Sequence, residues 1–262
     1  MPVELFGFSI GRTGRQQPLL EPAEERKSKA KSFAPPDYDD GAVTVSGGGY
    51  FGSYVDFEGT IKNEVDLIYK YRDMAMHAEI EQAIEDIAND SVVYDTRRQA
   101  VEINMDDVDL PKSIKDKVKS EFDFILRLLN FKKKGYELFR KWYIDGRLYH
   151  HIIIDESNPK KGIIELRPID AEKIRKIRKV NKKPKPDAKT PTEMIDSVEE
   201  FFIYSDNKYN QNTVEGIKVA IDSISYINSG LYDAHNKRVL SYLHKAIKLL
   251  NKLRMIEDAV VI

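Results

Sequence analysis

The strongest chemical signal in the sequence is a run of cations. From Lys173 to Lys189, nine Lys or Arg residues stand against one Asp. Clustered Lys and Arg are what contact with nucleic-acid phosphates requires, and little else is needed. The run contains no aromatic residue, so it has no platform on which single-stranded bases could stack. Two readings remain: a solvated loop between strands, or a phosphate contact in which Lys182, Lys183 and Lys185 take part. Pro184 and Pro186 hold the segment irregular and favour the surface loop.

Other residues that could do chemistry assemble into nothing catalytic. Gly7-Phe-Ser-Ile-Gly11-Arg-Thr-Gly14 has the glycines of a phosphate loop, but it lacks the Gly-Lys-Ser/Thr ending and a preceding strand. Asp106, Asp107 and Asp109 lack the turn glycine and distal Glu of a calcium loop. His150 and His151 are neighbours on a predicted strand and point to opposite faces, so they cannot grip one metal ion together. There is no Ser elbow and no His-Glu-x-x-His. Among 43 acids, paired carboxylates carry no information. The expectation is a protein that is not an enzyme and has no cofactor and no metal.

Composition narrows the class further. With 42 Lys+Arg against 43 Asp+Glu the net charge is -1, so any affinity for a polyanion must be local. The absence of Cys excludes disulfides and thiolate chemistry. No apolar run approaches the roughly 20 residues of a membrane-spanning helix, and the first residues lack the pattern of a signal peptide. A soluble intracellular product is expected.

The elements that must position these residues read as α+β: helices packed with a small, mostly antiparallel sheet. Residues 1–49 are rich in Gly, Pro and charge and are expected to form a mobile arm. A body follows over residues 50–236. Helices are predicted from Thr60 to about Met74, from His77 to Asp90, from Ser113 to Leu129 with Val118, Phe122, Ile125, Leu126 and Leu129 inward, and from Tyr136 to Ile144. Phe131-Lys-Lys-Lys-Gly135 reads as a tight junction between the last two. Strands are predicted at 91–94, 100–105, 147–154, 163–168, 198–204 and 216–221, the pair 147–154 and 163–168 forming a hairpin.

The last stretch, Asn236 to Ile262, reads as one long helix. Val239, Leu240, Leu243, Ala246, Ile247, Leu250, Leu253 and Ile256 recur at three and four residues along one face. Glu257-Asp-Ala-Val-Val-Ile262 offers no Gly, Asn or Pro to end it, and the expectation is a chain whose natural continuation is missing.

Several segments in order then resemble a known family. They are Tyr54-Val-Asp-Phe-Glu-Gly59, Asp66-Leu-Ile-Tyr-Lys-Tyr-Arg-Asp-Met-Ala75, Ala83-Ile-Glu-Asp-Ile-Ala-Asn-Asp90, Leu166-Arg-Pro-Ile-Asp170, Asp222-Ser-Ile-Ser-Tyr-Ile-Asn-Ser-Gly-Leu231 and the stretch from Ser241 to Ala259. Together they are similar to the portal vertex protein of myovirus-type tailed phages, the marine cyanophage branch in particular. The resemblance implies a homo-oligomer, a dodecameric ring at one capsid vertex, with DNA packaging and ejection through its channel. It implies as partners the terminase large subunit, the major capsid protein, scaffold and neck proteins, and double-stranded DNA. The location implied is the virion, with host cytoplasm during assembly. Residues 50–236 would then be wing-like, and 237–262 would lead into the stem. Lys245, Lys248, Lys252 and Arg254 are the candidates on the exposed face of that helix for DNA or subunit contacts. The alternative function is a nucleic-acid-binding or adaptor protein that uses the basic run 173–189.

Overall fold

The computed structural model describes residues 3–5, 8–10, 40–47, 57–92, 100–184, 193–206, 216–233 and 238–261. The predicted arm therefore lies mostly outside the described residues, as do most of the predicted strand 91–94 and Lys185. Within them, β1 (Val3–Leu5) and β2 (Phe8–Ile10) pair as an antiparallel hairpin, and β3 (Val43–Gly47) leads to the helices.

Four helices come next: α1 (Phe57–Met74), α2 (Ala78–Ser91), α3 (Lys112–Leu128) and α4 (Phe131–Asp145). Helix α1 is the hub, because its apolar residues fall at helical spacing on two adjoining sides. Ile68 enters a cluster with Tyr149, Ala171, Ile174, Phe202 and Ile224, on the sheet side. Tyr71, Met74 and Ala75 enter a second cluster with Ile84, Ile144, Leu243 and Leu250, on the helical side. Gly146 stops α4 in the left-handed region at φ 70°, and its N–H donates to the Trp142 carbonyl at 2.8 Å, a helix end that glycine makes without steric penalty.

The strands β4 (Arg147–Ile154), β5 (Ile163–Ile169), β6 (Ile174–Pro184), β7 (Glu193–Tyr204), β8 (Ile217–Val219) and β9 (Ile224–Asn228) complete the body. They make two sheets. One has the order β5-β4-β9 and is antiparallel throughout. The other has the order β3-β6-β7-β8, with only the β3–β6 pair parallel. The α+β class and the predicted hairpin are both present.

Four local expectations are corrected. The basic run is not an irregular loop over its first part: residues 174–184 form β6, a central strand, and Pro184 stands at the strand's end, where a missing N–H breaks no ladder. Phe131–Gly135 is no junction but the start of α4, where the side-chain-free Gly135 lets the Phe131 ring pack over the helix backbone. Residues 100–105 form no strand; the alternation is present, but no described strand pairs with the segment. Helix α3 buries none of its residues fully, and Ile125, expected inward, is 40% exposed, because α3 meets α4 and β5 along one edge only.

His150 and His151 alternate across β4 as predicted, and His150 is buried. Burial, aided by the nearby Lys141 cation, holds the His150 pKa below its ordinary value. The unfolded chain therefore takes up a proton near pH 6.5 that the folded chain refuses, so stability falls as pH drops below about 6.5. Urea midpoints measured from pH 7.5 to 5.5 are expected to fall less for His150→Gln than for the unaltered chain.

Candidate functional site

The structure separates the two sets of candidate cations. Most of the described cations of the basic run are paired or buried within the fold, while Lys179 and Lys183 stay exposed. Lys176 Nζ donates to Asp40 Oδ2 at 2.6 Å, and Arg178 reaches the same oxygen at 2.5 Å. Arg178 Nε also donates to Glu200 Oε1 across the β6–β7 pair, at 2.6 Å. Burial works to raise the Asp40 pKa, but the Lys176 hydrogen bond, the Ala42 N–H and the Arg178 charge together hold it below the usual carboxylate value. Lys173 pairs with Asp206, and Lys183 with Asp196 at 2.7 Å. Lys182 is half-buried opposite Ile195. No sequence signal joins Asp40 to Arg178, 138 residues away.

Deeper still, Arg175 on β6 and Arg147 on β4 flank one carboxylate, Glu64 of α1, at 3.5 Å each, and all three side chains are at most 3% exposed. Terminal guanidinium N–H groups donate to main-chain carbonyls as well: Arg147 Nη2 to Val239 at 2.7 Å, and Arg175 to Ala171, Ile174 and Glu172. A second clamp lies at the far end of α1. Arg72 grips Asp145 through two parallel bonds of 2.9 and 2.8 Å and adds Asp170 at 2.7 Å, a geometry suited to the planar guanidinium. It thereby ties α1 to the end of α4 and to the β5–β6 turn.

The C-terminal stretch differs in detail from the single helix predicted from Asn236. Val239 bridges Tyr232 in antiparallel fashion, and residues 242–246 form a 3₁₀ turn. The α-helix α5 covers only Ile247–Val261. The delay has a local cause: Ser241 is the cap, its Oγ accepting the Leu243 N–H at 3.0 Å while donating to the Tyr143 carbonyl at 3.1 Å, and its extended backbone ends the preceding bridge segment.

The predicted stripe does face inward over its first part. Leu243 and Leu250 lie in the helical core, with Ala246, Ile247 and Leu253 packed against it, whereas Ile256 is 61% exposed. Tyr71 Oη meets His244 Nδ1 at 2.8 Å, and Arg254 bonds both His77 Nε2 and Asp73 at the α1–α2 junction. Arg254 is therefore a tether within the chain rather than part of the exposed face. Lys245, Lys248 and Lys252 are exposed on the opposite side, and among the described residues they form no ion pair. Among the described residues no group of three or more His, Asp or Glu could hold a metal ion, and no helix is long and apolar enough to cross a membrane.

What remains is a body bolted together by buried charges, with a terminal helix fixed along one face and open along the other. Residues 64–262 match the family of Bacteriophage T4-like portal proteins (Gp20). This chain belongs to that family. The portal protein of Vibrio phage KVP40 is 34% identical over 260 residues, covering 90% of this chain and 48% of the relative. The portal protein of Salmonella phage ViI is 32% identical, covering 93% of this chain and 46% of the relative. The chain thus spans about half the length of the curated relatives it matches. The matched region begins at Glu64, the carboxylate that holds the two buried arginines, so the T4-like portal match takes in both ion clamps and the terminal helix.

Proposed function

We propose that this chain acts as a structural subunit of a capsid portal: copies form a ring at one vertex, and DNA is packaged and later ejected through the channel. The observation that carries the reading is the family match over 64–262, which takes in a helix with one face locked into the body and the other presenting Lys248 and Lys252, beside Lys245 of the preceding turn. The body corresponds to a wing and α5 leads toward a stem. A terminase large subunit, the major capsid protein, and scaffold and neck proteins are the partners that such a ring requires, and the assembled location is the virion. The work is mechanical, since a channel must pass a polyanion without gripping any one sequence.

The alternative, an adaptor that binds nucleic acid through the basic run, has less support. Lys173, Lys176, Arg178 and Lys183 are ion-paired within the chain and Arg175 is buried, which leaves few cations there to displace counterions from DNA. Native mass spectrometry of the 262-residue chain across a concentration series tests the proposal. Closed oligomers are expected; a chain that stays monomeric at every concentration and binds duplex DNA with a steep salt dependence would reverse the preference.

A further inference from the structure

The outer face of α5 is unpartnered and mixed in character. Leu249, Met255 and Ile256 are 70%, 71% and 61% exposed, and they flank Lys248 and Lys252, with Lys245 three residues earlier. Large apolar side chains grouped on one helix face mark a surface that another molecule covers. Cations among them specify what that molecule carries.

The same chain carries a matching surface. Helix α2 contains five acids and no Lys or Arg: Glu79, Glu81, Glu85, Asp86 and Asp90. Ile80, Ile84 and Ala88 turn inward, which leaves Glu79, Gln82, Asp86 and Asp90 on the outer face at spacings of three, four and four. Lys248 and Lys252 of α5 stand four residues apart, as Asp86 and Asp90 do, and Lys245 lies in the 3₁₀ turn just before them. Ile87, 38% exposed, and Ala83 border the acids as Leu249 and Ile256 border the lysines. Only Glu81 has an ion pair among the described residues, with Arg140 at 3.4 Å.

Within one chain these faces cannot meet. Ile80 and Ile84 of α2 and Leu250 and Leu253 of α5 share one core, so the acids and the lysines lie on the backs of helices whose fronts are packed together. A second copy can bring them into contact. Resting on the ring reading above, we infer that the Lys248-Lys252 face of α5 in one subunit, with Lys245 of the preceding turn, docks on the Glu79-Asp86-Asp90 face of α2 in the next. Such a contact joins two different surfaces, the head-to-tail arrangement that closes into a ring when the rotation permits. Apolar side chains supply contact area, and opposite charges set register and exclude pairing of like faces.

A charge exchange tests this. Lys248→Glu with Lys252→Glu makes one variant, and Asp86→Lys with Asp90→Lys makes the other; Glu79 is spared because an acid favours the start of α2. In native mass spectrometry each variant alone is expected to associate at least about a hundredfold more weakly than the unaltered chain. An equimolar mixture is expected to recover oligomers in which the two variants alternate. Circular dichroism checks folding, and neutral Lys→Gln and Asp→Asn versions replace any variant that loses helix. If each variant assembles as the unaltered chain does, the ring reading stands and this interface is wrong. If the folded variants stay apart even when mixed, the α2–α5 pairing is wrong. If the unaltered chain never associates, the ring reading falls and takes the interface with it.

Discussion

Glu64→Gln is expected to lower stability by about 3–5 kcal/mol, the usual consequence of removing one partner from a buried ion cluster. The substitution keeps the side chain's size, so the loss is electrostatic rather than a cavity. Glu64 is 2% exposed and stands between Arg147 and Arg175, which are themselves 3% and 1% exposed. Without the carboxylate, the two buried guanidinium groups lose the counter-charge they share. Neither can leave easily, since Arg147 is bonded to Val239 and Arg175 to three carbonyls around the β5–β6 turn. Burial works to lower the Arg147 pKa, yet the Glu64 charge, the Tyr149 and Tyr226 hydroxyls and a Glu64 hydrogen bond together more than compensate, so the net shift is upward and the arginine stays charged. A domain of this kind has roughly 5–15 kcal/mol in all, so much of the margin is at stake. The urea midpoint measures it directly. Glu200→Gln is the contrast: its carboxylate is partly exposed and shares Lys176 and Arg178 with Asp40, so a far smaller drop is expected. Equal drops for the two variants would show that the Glu64 cluster has no special weight.

The same cluster shows what could be read from the sequence and what could not. The helix at α1 was legible because Ile68 and Tyr71 keep a local rhythm, and the β4–β5 hairpin because a turn separates two apolar strands. Family membership was legible in the order of short segments along the chain. The misreading of residues 173–184 has a plain physical source. Seven cations look solvated when counted along the chain, but β6 is a central strand, and its neighbours bring Asp40, Glu200 and Glu64 from far away in sequence. Arg254 misled in the same way: it belongs to the charged side of the terminal helix by type, and only the fold puts His77 and Asp73 beside it. Lys245, Lys248 and Lys252 were placed correctly as exposed because no such partner reaches them. Periodicity reports which side of an element is apolar. It does not report which opposite charge a distant loop or helix will supply.

Gly146→Ala carries the second large effect, and it bears on how the terminal helix is rooted. Gly146 has φ 70°, where an L-residue pays roughly 1–2 kcal/mol. The greater difficulty is space. A Cβ there would lie 2.7 Å from the Leu240 carbonyl oxygen and 2.9 Å from Ser241 Cα, which are backbone atoms that cannot rotate away. Relief requires the 239–241 segment to move. That segment is held by Leu240 N–H to the Leu231 carbonyl at 2.8 Å, Ser229 Oγ to the Leu240 carbonyl at 2.5 Å and Ser241 Oγ to the Tyr143 carbonyl at 3.1 Å. Each bond is worth about 1 kcal/mol, so losing two of them beside the dihedral cost gives a total of about 3–4 kcal/mol. The damage should be local first: amide exchange is expected to quicken in residues 241–253 before it does in β4 or β6, because Ser241 caps the turn that launches α5. Gly230→Ala separates the two causes. It shares a φ of 74° but has nothing within 4 Å of the added carbon, so it should show the dihedral cost alone and leave exchange in α5 unchanged. If both substitutions have the same effect, the close approach of Gly146 to the root of α5 is not what anchors the helix, and its outer face cannot owe its fixed position to that contact.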